Sequence, residues 1–234
     1  MRRSLLDICK NVCGELSFQV PAAVLSSIDL LTQQIRYLTS AACEELLEAH
    51  DWNSLLKVAS IPLTGAAEYA IPDDVVRIIP GSFSYSSSGT ATNSVAGSVS
   101  PQTMNTLTVP TGVIGLNQVT FQQIGGKLKI FPTNLTGGVL KFTYLSSKYI
   151  INSGGTEYKD VFTQDSDVPL FSARLVTAAV KLKVLQTKGL DTTAATQDFN
   201  YLLELAKQTD VPAPILDIAN GIPDPVTPLT YQVL

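Results

Sequence analysis

The apolar period of this chain changes twice, and that change constrains the fold more than any other feature. From Leu5 the residues Leu5, Ile8, Cys9, Val12, Cys13 and Leu16 fall three and four apart, which makes one stripe of an amphipathic helix. After the breaker Val20-Pro21, a second helix is expected to start near Ser26 or Ser27. It would hold Asp29 in its first turn and present Ile28, Leu31, Ile35, Leu38, Ala42 and Leu46 inward. Between Lys57 and Tyr149 no helical stripe is sustained. Short alternating runs broken by Gly, Pro, Ser and Asn replace it, the pattern of an antiparallel β domain. The clearest is VTFQQI-GG-KLKIF, with Gly125-Gly126 as the hairpin turn and Leu128 and Ile130 on one face. VLKFTY follows, alternating Leu140, Phe142 and Tyr144.

Helical spacing returns in QDSDVPLFSARLVTAAVKLKVLQTKG. Here Asp167 is expected to cap and Pro169 to sit in the first turn. Leu175, Ala178, Ala179, Leu182 and Leu185 form the stripe, and Gly189 stops the helix. A fourth helix is predicted from about Thr192 to Gln208, with Phe199, Leu202, Leu203 and Ala206 inward. The expected class is α+β: a discontinuous four-helix bundle (1–56 and 165–210), an inserted antiparallel β domain (57–164) and an extended C-terminal arm (211–234).

The chemistry-bearing residues are few. The only histidine and only tryptophan lie in AHDWNSL, where the second helix runs out. Adjacent helical residues point about 100° apart, so His50 and Asp51 cannot form the side-chain pair in which an acid orients a catalytic base. The reading is structural: His50 in the last turn, Trp52 as a plug at the bottom of a bundle. Three cysteines, Cys9, Cys13 and Cys43, are an odd number without disulfide spacing, and they read as small core side chains in a reducing compartment. One histidine is a poor supplement to them, so neither a metal nor any other cofactor is expected. No G-x-S-x-G, phosphate loop or paired catalytic carboxylates occur; Asp73-Asp74 and Asp165/Asp167 read as turn and cap residues, and no enzyme is predicted. The interrupted start MRRSLLDICKNVCGEL does not read as a signal peptide, and no run is long enough to span a membrane, so a soluble cytoplasmic product is expected.

Two stretches point outward. Charged residues are 15 % of the chain against 45 % hydrophobic, lean for a wet surface. From 78 to 126, forty-nine positions carry no charge, and within them SYSSSGTATNSVAGSVSPQTMN reads as a polar loop (82–106) or as a face that meets other subunits. The end, VPAPILDIANGIPDPVTPLTYQVL, holds five prolines yet no Lys, Arg or Glu. Neither helix nor central strand crosses it, and its apolar content fits an extended arm laid along a partner's groove or edge, or folded back on its own subunit. The net charge of −4 argues against gripping nucleic acid.

The ordered patterns LLDICKNVCGELSF, PAAVLSSID, EELLEAHDWNSL, EYAIPDDVVRI, FQQIGGKLKIFPTNLTGGVLKFTYLS, DSDVPL and GLDTTAATQDFNYLLELA together resemble the head-to-tail adaptor family of short-tailed bacteriophages. KLKVLQ, where many relatives carry tryptophans, and the large charge-free stretch depart from it. The resemblance implies a virion neck protein, assembled in the host cytoplasm, that forms a ring, expected to be a dodecamer, beneath the portal. It would meet a tail nozzle or other tail protein below and let DNA pass without specific binding. It also implies that Val211–Leu234 is the portal-binding arm, with Ile215, Leu216, Ile218, Ile222, Val226, Leu229 and Tyr231 as anchors. A different class stays open, a receptor- or glycan-binding tail module that uses the Ser/Thr/Asn-rich stretch.

Overall fold

The computed structural model describes residues 2–87, 91–100, 102, 104, 119–133 and 135–210, and within them the chain mixes helix and sheet in an α+β arrangement. Helices α1 (Leu5–Glu15) and α2 (Leu30–Ala49) precede the strands. Helices α3 (Ala173–Lys188) and α4 (Thr193–Thr209) follow them. The α1 stripe is buried as the spacing predicts: Leu5, Ile8, Cys9, Val12 and Cys13. At α2 the start moves. Asp29 is the cap, its carboxylate accepting from the Thr32 N–H at 2.8 Å, so the helix begins at Leu30 and Ile28 stands outside it, 93 % exposed.

At α3 the expected cap is displaced as well. Ser172 holds the N-cap position, while Val168–Pro169 form a two-residue strand. Asp167 cannot cap α3 because its carboxylate is already taken: it accepts from the backbone N–H groups of Thr163 and Gln164 at 2.8 and 2.9 Å. Gly189 ends α3 in the left-handed conformation (φ 66°), with the Leu190 N–H returning to the Leu185 carbonyl, as the sequence predicts.

Helix α3 packs on α1, α2 and α4. Its Leu175, Val176, Ala179, Val180 and Val184 meet Ile35, Cys43 and Leu46 of α2 and the α1 stripe in one core, which Trp52 and Phe171 close at one end. Helix α4 buries Leu202 and half-buries Phe199, Leu203 and Ala206.

The strands are β1 (Leu56–Thr64), β2 (Glu68–Ala70), β3 (Val75–Ile78), β4 (Ser84–Ser87), β5 (Ala91–Ser98), β6 (Val119–Ile124), β7 (Lys127–Phe131) and β8 (Thr136–Ser146). They hydrogen-bond in the order β1-β8-β4-β5-β6-β7-β2, with β3 also on β8. β1 alternates cleanly, with Ala59, Ile61 and Leu63 buried between exposed neighbours. Pro62 is tolerated there because β1 lies at the end of the order. The two ends of the order, β1 and β2, are three residues apart in the chain, so the sheet curls around its own core. Inside it Phe83 stacks on Phe121 and Phe142 at 3.7 and 5.0 Å, with Leu128, Ile130 and Leu140 beside them. The Gly125-Gly126 turn has both residues at positive φ, which the tight β6–β7 hairpin requires.

Two corrections concern this sheet. It is not wholly antiparallel, since β5 and β6 run parallel with Val95 opposite Val119. Among the described residues of the stretch expected as a polar loop, most are strand: β4 pairs with both β5 and β8, and Tyr85 is buried in the sheet core. A small second sheet, β9 (Ile150–Ile151), β10 (Tyr158–Lys159) and β11 (Val168–Pro169), follows. Its neighbours Tyr149 and Phe162 pack into the helical core, not the sheet core.

Candidate functional site

AHDWNSL is a junction. Trp52 is 5 % exposed, donates its indole N–H to the Leu46 carbonyl and meets Phe171 edge-on at 5.7 Å. His50 does not pair with Asp51. It lies edge-on to Trp52 and 3.6 Å from the carboxylate of Asp210, at the end of α4. The same carboxylate accepts from the Asn53 N–H at 2.7 Å, and the Asn53 amide also donates to the Asp210 carbonyl. Asp51 instead holds Arg77 of β3 at 2.6 Å, which also donates to the Glu48 carbonyl. The stretch therefore pins the last residue before the arm and the first part of the sheet to the end of α2.

Asp74, read from sequence as a turn residue, does more. It accepts from Lys57 at 2.7 Å, Ser146 at 2.8 Å and Tyr144 at 3.0 Å, tying β1 and β8 together. Burial pushes its carboxyl up, but bonds from Lys57, Ser146 and Tyr144 outweigh it and hold it at about 2. Burial and the adjacent carboxylate push the Tyr144 phenol up to about 12. A Ser, a Lys, a Tyr and an Asp here resemble catalytic equipment, yet Ser146 is 0 % exposed and its hydroxyl is spent on Asp74. The cluster is a lock.

Asp165 and Asp167 lock the other seam. The Asp165 carboxylate accepts from the Val24 and Leu25 N–H groups, and the carbonyls of Asp165 and Asp167 accept from Leu6 and Leu5 at the start of α1. Asp167 is 0 % exposed and bonded to Lys159 at 3.2 Å; burial opposes its charge, but Thr163, Gln164 and Lys159 keep its carboxyl below the usual range. The cysteines are buried thiols. Burial pushes Cys9 up to about 12 against a lowering bond with Thr39, so none is poised as a thiolate ligand or nucleophile. Among the described residues no group of three His, Cys, Asp or Glu is placed to hold a metal, and no helix is long and apolar enough to cross a membrane.

A cleft of about 600 Å³ opens between α1, the first turns of α3 and α4. Arg3, Lys10 and Arg174 line it above a floor that includes Ala173, Thr177, Ala178 and Leu202, all buried. None of the three cations has an ion-pair or hydrogen-bond partner among the described residues. Two carboxylates share the lining: Glu15, already paired with Lys181 at 2.8 Å, and Asp198. Sequence reading missed this cleft, though one signal was present. Arg174 sits in the first turn of α3, where a cation opposes the helix dipole and acidic residues are usual.

The predicted arm residues Ile215, Leu216, Ile218, Ile222, Val226, Leu229 and Tyr231 lie outside the described residues, as does part of the 82–106 stretch. No family model matches the chain, and no curated protein matches it.

Proposed function

We propose that the chain is a structural head-to-tail adaptor of a tailed bacteriophage, a non-enzymatic ring subunit that sits below the portal in the virion neck and continues the DNA channel to the tail. The finer architecture belongs to the same proposal: α1 to α4 act as one discontinuous bundle, with the β strands inserted between α2 and α3. The observation that carries the reading is a proline-punctuated apolar arm, Val211–Leu234, leaving a pinned anchor at Asp210. An arm without Lys, Arg or Glu gains little from solvent and much from a partner's apolar groove. The low net charge supports a conduit wall, since DNA moving past clustered cations would be held. Ring closure then follows from each copy packing on the next about a rotation axis.

The test is co-sedimentation with the portal ring of the same phage. The full chain joins the portal as a ring, and a chain ending at Asp210 stays in the supernatant while keeping its folded circular dichroism spectrum. A truncated chain that still sediments with the portal removes the arm from the mechanism. A full chain that ignores the portal overturns the adaptor reading and turns attention to glycan binding by the Ser/Thr/Asn-rich strands.

A further inference from the structure

Helices α3 and α4 are joined by the four residues 189–192 and pack together, so they run antiparallel. The end of α4 therefore returns to the level of the α3 start. The contacts agree: Asp210 is held by Asn53, while Trp52 touches Phe171, two residues before α3 begins. Asp210 thus lies toward the end of α3 whose Ser172, Ala173 and Arg174 line the cleft.

Chemistry matches on both sides. Residues 211–234 carry Asp217 and Asp224 as their only charged side chains, amid Ile, Leu, Val and Pro. Among the described residues the three cations of the cleft have no partner, and with Glu15 paired to Lys181 the one other carboxylate in the lining is Asp198. Beneath them lies the buried surface of Ala173, Ala178 and Leu202. Reach is sufficient. Leu202 lies about 12 Å back from Asp210 at the helical rise, whereas Asp217, seven residues on, reaches about 22 Å at a polyproline rise. Pro212 has no N–H with which to extend the α4 hydrogen-bond ladder.

We propose that in the free protein the chain's own C-terminal segment docks in this cleft, with Asp217 among Arg3, Lys10 and Arg174 and the flanking Ile215, Leu216 and Ile218 against the apolar floor. The arm is thereby parked, and a partner must displace it. This deepens the adaptor reading by assigning regulation to its arm, and the docking itself stands without that reading. Parking shields an apolar segment from aggregation and sets a threshold that only a groove burying more of the arm can exceed.

Hydrogen exchange of the full chain, followed by mass spectrometry at low protein concentration, tests it. Amides of 211–220 exchange at least about tenfold more slowly than an unstructured peptide. Protection disappears in Arg3→Glu/Arg174→Glu and in Asp217→Lys, and combining the two restores it. Both arginines are exposed, and a glutamate in the first turn of α3 favours that helix, so the cleft variant keeps its fold. Unprotected amides in the natural chain overturn the proposal. So does protection that survives both variants, or that grows with protein concentration, which would assign the cleft to a neighbour's arm. An unprotected arm in a chain that still joins the portal sinks parking alone; a protected arm in a chain that ignores the portal sinks the adaptor reading alone.

Discussion

At the scale of single residues, Asp74 has the largest predicted consequence. Its carboxyl lies at about 2 in the folded chain against an ordinary 3.8, because Lys57, Ser146 and Tyr144 bind the charged form more strongly than burial penalises it. A value lowered by folding stabilises the folded state fully above about pH 4, and that contribution fades as pH falls through 2. Asp74→Asn removes the charge facing Lys57 and should cost about 1–3 kcal/mol at neutral pH. It should also flatten the acid side of the stability curve between pH 4 and 2, where the natural chain loses this contribution. Thermal melts of both proteins across that range are the check, and parallel curves would show that Asp74 does not set the acid limb. Local reading of the sequence reached the plug at Trp52 and the buried cysteines, since each follows from its own helix and spacing. It missed Asp74 because the partners lie 17, 70 and 72 positions away in the chain. It missed the Asp210 anchor for the same reason, with 157 positions separating it from Asn53.

At the scale of elements, period and glycine placement were legible and strand pairing was not. The α1 stripe, the Gly125-Gly126 hairpin, the alternation of β8 and the Gly189 stop all rest on contacts a few residues apart, and all appear where the spacing puts them. The starts of α2 and α3 shifted by several residues because of where two aspartates spend their carboxylates. Asp29 wins the helix, whereas Asp167 is captured by its own turn. The β4 and β5 strands were hidden by composition: SYSS and ATNSVAGS, rich in Ser, Thr and Asn, look like a loop until β8 and β6 supply the ladders on either side of the pair. A particular glycine reports on that ladder. A methyl group added at Gly138 of β8 would overlap the Tyr85 ring of β4. Gly138→Ala therefore forces Tyr85 out of the sheet core and should lower stability by about 1–3 kcal/mol. The double variant Gly138→Ala/Tyr85→Ala should lose no more than Tyr85→Ala alone. Additive losses in urea titrations would mean that β4 does not lie against β8 as described.

At the scale of the whole molecule, the two cores share a strand, and that makes them one thermodynamic unit. Successive residues of β8 point to opposite faces, so Tyr144 and Phe142 enter the sheet core while Leu145 enters the helical one. The seam is reinforced by Arg77 of β3 on Asp51 after α2, and β1 starts one residue after Leu55, itself a member of the helical core. A cavity made on one side should therefore be felt on the other. Phe142→Ala empties the middle of the sheet core, where Phe83 stacks against it, and should cost about 3–5 kcal/mol. Trp52, the only tryptophan, reads the helical core alone, some ninety positions away in the chain. In the natural chain its fluorescence and the far-ultraviolet circular dichroism should report one coincident denaturant transition. In Phe142→Ala both midpoints should move together by the same amount. A Trp52 midpoint that stays in place while the dichroism shifts would mean that the strands melt as a separate body. The shared strand would then be a tether between two independent domains.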